Sequence, residues 1–238
     1  MSTRPTPRRA AAPTAARAAP SSTSKQAKSR PAVRRDPERT RARLLEAAVE
    51  EFASHGYSGA RTDRIVQAAG TSIRMLYHYF GGKDGLYLEV LDTVMAQLRQ
   101  AELQAIPDDL PPMEGLLRAF DFIAEHFADH PKLRKLLAFE NLNEARHLSL
   151  SERIPQMAAP VVGRIRQLLA RGAATGEVRA DIDALQLYIA MAGLAYYGRQ
   201  HAHTLSHILK RDLLKPSWQK SNLNTCRAMV EAYLKPPG

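Results

Sequence analysis

Cysteine is almost missing from this chain. Cys226 is the only one in 238 residues, so no intramolecular disulfide can form, and the composition fits a reducing cytoplasm. Long apolar runs are missing as well. The longest, from Leu185 to Tyr197, is interrupted by Gln186 and is too short to cross a bilayer, so no membrane partner is expected. Nowhere does the sequence alternate apolar and polar residues with period two, which excludes strands as a main element. It also lacks a glycine-rich phosphate loop, a nucleophile elbow and a His-Glu-x-x-His pair, so the common enzyme signatures and their cofactors are not expected.

Acidic residues are missing from one region only. Residues 1–35 hold nine of the 34 Lys and Arg and no Asp or Glu, which leaves 25 basic against 24 acidic residues for 36–238. The formal excess of +10 is therefore largely a property of this leader. It has no apolar segment of the kind a secretory signal needs, and Pro5, Pro7, Pro13 and Pro20 argue against the amphipathic helix of a transit peptide. A disordered basic tail is expected, either an auxiliary arm drawn to polyanions or an inert leader.

What is present is helical. Asp36-Pro37-Glu38 has the order of an N-cap, a first-turn proline and an acid at the positive end of the helix dipole. Leu45, Ala48, Val49 and Phe52 follow at helical spacing, and Gly56 is expected to close the helix in a left-handed conformation. Thr62-Asp63 opens a short second helix with Ile65, Val66 and Ala69, ending at Gly70. Thr71-Ser72 is expected to cap a third, in which Ile73, Leu76, Tyr77 and Phe80 recur before Gly81-Gly82. Two short amphipathic helices about a glycine-containing turn form a helix-turn-helix pattern. A long helix from Lys83 to Gln104 carries Leu86, Val90, Val94 and Leu98 on one face. Beyond the prolines at 107, 111 and 112, three further stripes follow: Leu116, Phe120, Ile123 and Phe127; Leu133, Leu136 and Leu137; and Val161, Ile165, Leu168 and Leu169.

Residues 183–200 are apolar almost all round, so that helix needs cover on two sides. The last helix, about 217–234, carries Trp218, Leu223, Cys226, Met229, Val230 and Tyr233, which are suited to packing against a second copy or to a central core position in a monomer. The expected fold is all-α: a tail (1–35), a three-helix helix-turn-helix domain (36–82) and a helical ligand-binding and dimerisation domain (83–238).

The segment Gly56–Tyr87 resembles the DNA-binding domain of the TetR family of regulators. The resemblance rests on Gly56-Tyr57, Ile65-Val66, Ala69-Gly70-Thr71-Ser72, Leu76-Tyr77-His78-Tyr79-Phe80 and Lys83. Thr71 stands where the family usually has Val, Val66 where it has Ala, Tyr79 where it has His, and Ala60 where Thr is frequent. The resemblance implies a one-component regulator, commonly a repressor released by a small molecule. The last part of the chain resembles the family only in helix count and in a loop from Gly172 to Asp183.

A recognition helix reads base edges with its N-terminal residues. By that rule Ser72, Ile73 and Arg74 lie nearest the bases. Arg74 suits a bidentate contact to guanine, and Ile73 an apolar one to a thymine methyl. The resemblance implies that Tyr77 touches base or backbone and that Tyr79 and Lys83 bind phosphate. Lys83 also stands at a helix N-terminus, where free amides favour anions. Tyr77 shares a helical face with Ile73 and Phe80, so a partly buried position is the alternative. His78 reads as an exposed residue near the backbone. Arg61, Thr62 and Thr71 are candidates for phosphate contact, Arg61 and Thr62 equally for capping helix two. Residues 36–95 hold seven basic and nine acidic residues, so this domain has no general positive field.

Effector liners are sought among Phe120, Phe127, Phe139, Met157, Tyr188, Met191 and Tyr196, with Glu140, Asn141 and His147 as polar anchors. Each is equally at home in an ordinary core. His126/His130 and His203/His207 have the i, i+4 spacing of chelating pairs, but neither has an evident third ligand and no metal site is assigned. The expected partners are double-stranded DNA with a palindromic operator, an unidentified small-molecule effector and a second copy of the chain. A nucleic-acid binder driven by the tail, and a helical carrier or enzyme with an incidental helix-turn-helix, are the competing classes.

Overall fold

The computed structural model describes residues 37–237. The Asp36 cap and the basic tail therefore lie outside the described residues. Ten α-helices and one 3₁₀ turn follow among them: α1 (Pro37–Gly59), α2 (Thr62–Ala68), α3 (Ile73–Phe80), α4 (Lys83–Ala105), α5 (Pro112–Asp129), α6 (Pro131–Leu142), the 3₁₀ turn Leu148–Leu150, α7 (Arg153–Thr175), α8 (Ala184–Gln200), α9 (Ala202–Leu209) and α10 (Pro216–Leu234). No strand occurs among the described residues. None of the described helices is long and apolar enough to cross a membrane.

Helix boundaries follow local chemistry. Pro112, Pro131 and Pro216 occupy first-turn positions, where a missing N–H costs nothing and φ is already helical. Asp183 caps α8 by accepting the Gln186 N–H at 2.8 Å. Gly81 and Gly176, both with left-handed φ, end α3 and α7.

Three details differ from the sequence expectation. Gly56 has a positive φ of 64° but a ψ of 178°, so the chain breaks there in an extended turn and coils again to Gly59. Ser72 holds the N-cap position of α3 but its hydroxyl makes no capping bond. The loop expected from Gly172 begins only at Gly176, because α7 runs on to Thr175.

The core sits around α5, which packs against α4, α6, α7, α8 and α10. Leu116, Phe120 and Ile123 are buried as the stripe required, and Phe127 is half-buried against Tyr196 with ring centroids 5.2 Å apart. On α8, Leu187, Met191 and Ala195 face inward. Its other side leaves Leu185, Ile189 and Tyr197 at 51%, 60% and 57% exposure, and Met229 and Tyr233 of α10, which border a groove shared with α8, are exposed too. The all-round apolar character of α8 is thus covered on one side only within a single chain.

α1 packs on α2, α3, α4 and α6, through Leu44, Ala48 and Phe52, each fully buried. Where α1 ends, Phe52, Tyr57, Tyr87 and His147 form a cluster with centroid separations of 4.1 to 6.5 Å. Beneath it the buried Glu140 carboxylate accepts from Tyr87 Oη at 3.0 Å, His147 N–H at 3.2 Å and Leu148 N–H at 2.9 Å, with His147 Nδ1 at 3.2 Å. Burial, then the Glu140 charge, pushes the Tyr87 phenol well above its usual range, so it stays a donor.

One carboxylate thereby ties α4, α6 and the 3₁₀ turn together. Replacing it with an apolar group of similar size leaves several buried donors unmet, each costing about 1–3 kcal/mol. Glu140→Leu should lower the unfolding free energy by about 2–5 kcal/mol in urea titrations. A change below 0.5 kcal/mol would mean that water replaces the carboxylate without loss.

Candidate nucleic-acid interface

α2 and α3 are short, and each is held by few side chains. Ile65 anchors α2 and Leu76 anchors α3, at 1% and 0% exposure. The turn between them closes through Gly70, whose φ of 59° favours glycine, and through the Thr71 N–H to the Val66 carbonyl at 3.0 Å. With Leu76 inward, the opposite side of α3 faces out. Ser72, Arg74 and His78 are exposed, Ile73 is 44% and Tyr77 59% exposed, and Tyr79 is half-buried. Tyr77 is therefore a surface residue, and not part of the core it could have joined. Arg74 makes no ion pair or hydrogen bond among the described residues.

Three arginines of this surface are already paired with acids. Arg64 takes Glu51 at 2.5 Å, Arg61 takes Asp63 at 2.7 Å, and Arg41 takes Glu89 at 2.6 Å. Burial alone would raise the Glu51 carboxyl; its bonds to Arg64 and to the Arg61 N–H, with His55 nearby, hold it below the usual range. Arg61 occupies the N-cap of α2 with its guanidinium committed to Asp63, and Thr62 is half-buried as the first residue. Lys83 starts α4, with Nζ 4.7 Å from the Tyr57 ring centroid. The Tyr57 hydroxyl donates to Asp84.

The expected effector liners do not converge on one cavity. Phe139, Glu140 and His147 belong to the joint below α1, where the Phe139 ring lies against Gly56. Asn141 is exposed and returns its amide to the Leu137 carbonyl. Phe120 borders a 460 Å³ groove between α5 and α10. Met191 borders a separate 390 Å³ groove between α8 and α10. Met157 is half-buried on α7, and Tyr196 packs on Phe127.

Tyr188 belongs to a buried cluster that the sequence reading missed. Its hydroxyl donates to Glu102 Oε1 at 2.9 Å, and Arg99 pairs with Glu102 at 2.5 Å. Burial raises the Glu102 carboxyl, with Arg99 offsetting part of that, and burial takes the Tyr188 phenol up to about 12. Asp92 is also buried, accepting from Ser151 Oγ at 2.5 Å. Both acids share the buried faces of α4 with Leu91, Met95 and Leu98. An acid within an apolar stripe was the signal available.

α3 is joined to α4 by a close approach. A Cβ at Gly85 would stand 2.0 Å from the Phe80 carbonyl oxygen, at the end of α3. Only glycine fits without moving one helix off the other. Gly85→Ala should cost about 1–3 kcal/mol of stability, read as a lowered melting temperature; an unchanged melting curve would mean the joint yields freely.

Two family profiles match this chain: "Bacterial regulatory proteins, tetR family" over residues 44–90 and "Tetracyclin repressor-like, C-terminal domain" over 112–230. It is 35% identical over 176 residues to the HTH-type transcriptional repressor NicS of Pseudomonas putida, covering 74% of this chain and 83% of that protein. Among solved structures, a transcriptional regulator of Streptomyces coelicolor superposes with a TM-score of 0.62 at 25% identity, over 83% of this chain and 99% of the other. The regulator FadR of Bacillus subtilis, solved with stearoyl-CoA, superposes with a TM-score of 0.58 at 18% identity, over 82% and 99%. The chain belongs to the TetR family of bacterial regulatory proteins.

Proposed function

We propose that this protein is a homodimeric transcriptional repressor that reads a palindromic operator through α3 and is released from it by a small-molecule effector. The observation that carries the reading is the outward face of α3, where Ser72, Ile73, Arg74 and Tyr77 stand exposed opposite the buried Leu76. Ser72, Ile73 and Arg74 enter the major groove, with the Arg74 guanidinium available for guanine. Tyr77 contacts base or sugar-phosphate. Tyr79 and Lys83 bind phosphate, and Thr71, His78, Arg61 and Thr62 line the backbone path. The head comprises residues 36–82 and the body 83–238.

Dimerisation through α8 and α10 covers the Leu185, Ile189, Tyr197, Met229 and Tyr233 surface, which is too apolar to be left to water. An operator with half-sites about one helical turn apart, ~34 Å, suits two such heads. The effector acts by binding two conformations of the body unequally, with α4 as the lever between body and head. Stearoyl-CoA in the Bacillus subtilis neighbour supports a body of this fold holding a small-molecule ligand with a long acyl chain. The basic segment 1–35 adds sequence-independent attraction to phosphate.

Selection of bound sequences from a random DNA pool tests this. The expected result is a palindrome, and Arg74→Ala should lose preference at one symmetric pair of positions, with affinity for the best site falling about 5- to 150-fold. No enriched motif, with binding that vanishes at moderate salt, would reject sequence reading. Deleting residues 1–35 should weaken binding and flatten its salt dependence; an unchanged slope would remove the arm from the mechanism.

A further inference from the structure

Between α1, α4 and the α5–α6 junction lies a cavity of about 430 Å³, within the range of small-ligand sites. Val49 from α1, Val94 from α4, and Pro131 and Leu133 from α6 supply apolar walls, and Gln97, His126 and His130 the polar ones. The two imidazoles stack, with centroids 3.8 Å apart and planes 16° from parallel. His130 Nδ1 lies 2.9 Å from the His126 carbonyl oxygen, so a neutral His130 donates there and keeps Nε2 as an acceptor. The ring nitrogens of His126 make no hydrogen bond among the described residues. At the rim Lys132 is paired with Glu50 of α1 at 2.5 Å, and Asp129 is exposed.

We propose that this cavity is a binding site for an uncharged aromatic alcohol of one or two rings. The ring system fills the space between Val49, Val94 and Leu133, and the hydroxyl donates to the histidine pair while the Gln97 amide returns a bond to its oxygen. An anion finds no unpaired cation here, because Lys132 is held by Glu50. A cation is disfavoured as well: burial, then His130, takes His126 down to about 4 despite Asp129 nearby, so the walls resist positive charge. The site touches α1 and α4 together. Resting on the repressor reading above, occupancy would wedge the helix that carries the head's core away from the lever and weaken operator binding.

The test uses the full chain and 2-naphthol, followed by its own fluorescence, with naphthalene as the analogue lacking the hydroxyl. Saturable binding of 2-naphthol, about tenfold tighter than naphthalene, is expected. His126→Phe should bring the two affinities together. Val94→Trp, which fills the cavity, should weaken both at least tenfold; Gln97→Trp, from the rim, serves if Val94→Trp does not fold. Undiminished binding to a filled variant that folds, no saturable binding, or equal affinities for the two probes on the unmodified chain would overturn the proposal. These titrations use DNA-free protein, so they stand apart from the operator selection that tests the repressor reading. Saturating 2-naphthol should then lower operator affinity in the unmodified protein but not in the filled variant.

Discussion

The Glu140 carboxylate is the constraint on which the rest of the arrangement depends. A charge buried this deeply is tolerable only if its oxygens are met by donors, and here those donors come from two separate pieces of chain, α4 and the segment that enters the 3₁₀ turn. Satisfying them fixes the distance between α4, α6 and the 3₁₀ turn. That in turn seats the aromatic cluster of Phe52, Tyr57, Tyr87 and His147 at the end of α1. Packing alone would tolerate sliding along these apolar faces; directional bonds to one group do not. The polar bonds that fix α4 against α6 and the 3₁₀ turn thus also place the Tyr87 and His147 rings against which Phe52 and Tyr57 of α1 pack.

The helices were legible because their causes are local. Leu86 to Leu98 and Leu116 to Ile123 repeat at helical spacing. In α1 the expected Leu45, Ala48, Val49 and Phe52 stripe is shifted, with Leu44 buried and Leu45 and Val49 half-buried on the flank. Prolines and glycines mark the ends within a few residues. The turn around Gly70 and the outward face of α3 were legible for the same reason. Contacts between distant positions were not. Tyr87 meets Glu140 across 53 residues and Tyr188 meets Glu102 across 86, and no periodicity in the chain encodes such pairs. The expected effector liners scattered because aromatic and Met content marks buried positions as readily as binding positions. Phe139 shows the difference: its ring packs under Gly56 and fills space where a ligand was sought.

Electrostatics add a second lesson. Counting charges over residues 36–95 suggested a head poorly suited to a polyanion. Glu51, Asp63 and Glu89 are each matched by one arginine, so these pairs cancel locally and leave that balance unchanged, while Arg74 on the exposed side of α3 stands outside the pairing. A surface can be neutral by sum and still offer a cation at a position left out of the pairing. These pairs are exposed or half-exposed, so each adds little to stability.

The contact between Gly85 and the Phe80 carbonyl has a mechanical consequence. In a linkage, an output follows its input faithfully only when the joint has no play. Here the backbone of α3 rests directly on the backbone of α4, with no side chain between them to absorb motion by changing rotamer. A tilt of α4 would therefore meet the backbone of α3 with no intervening rotamer to take it up.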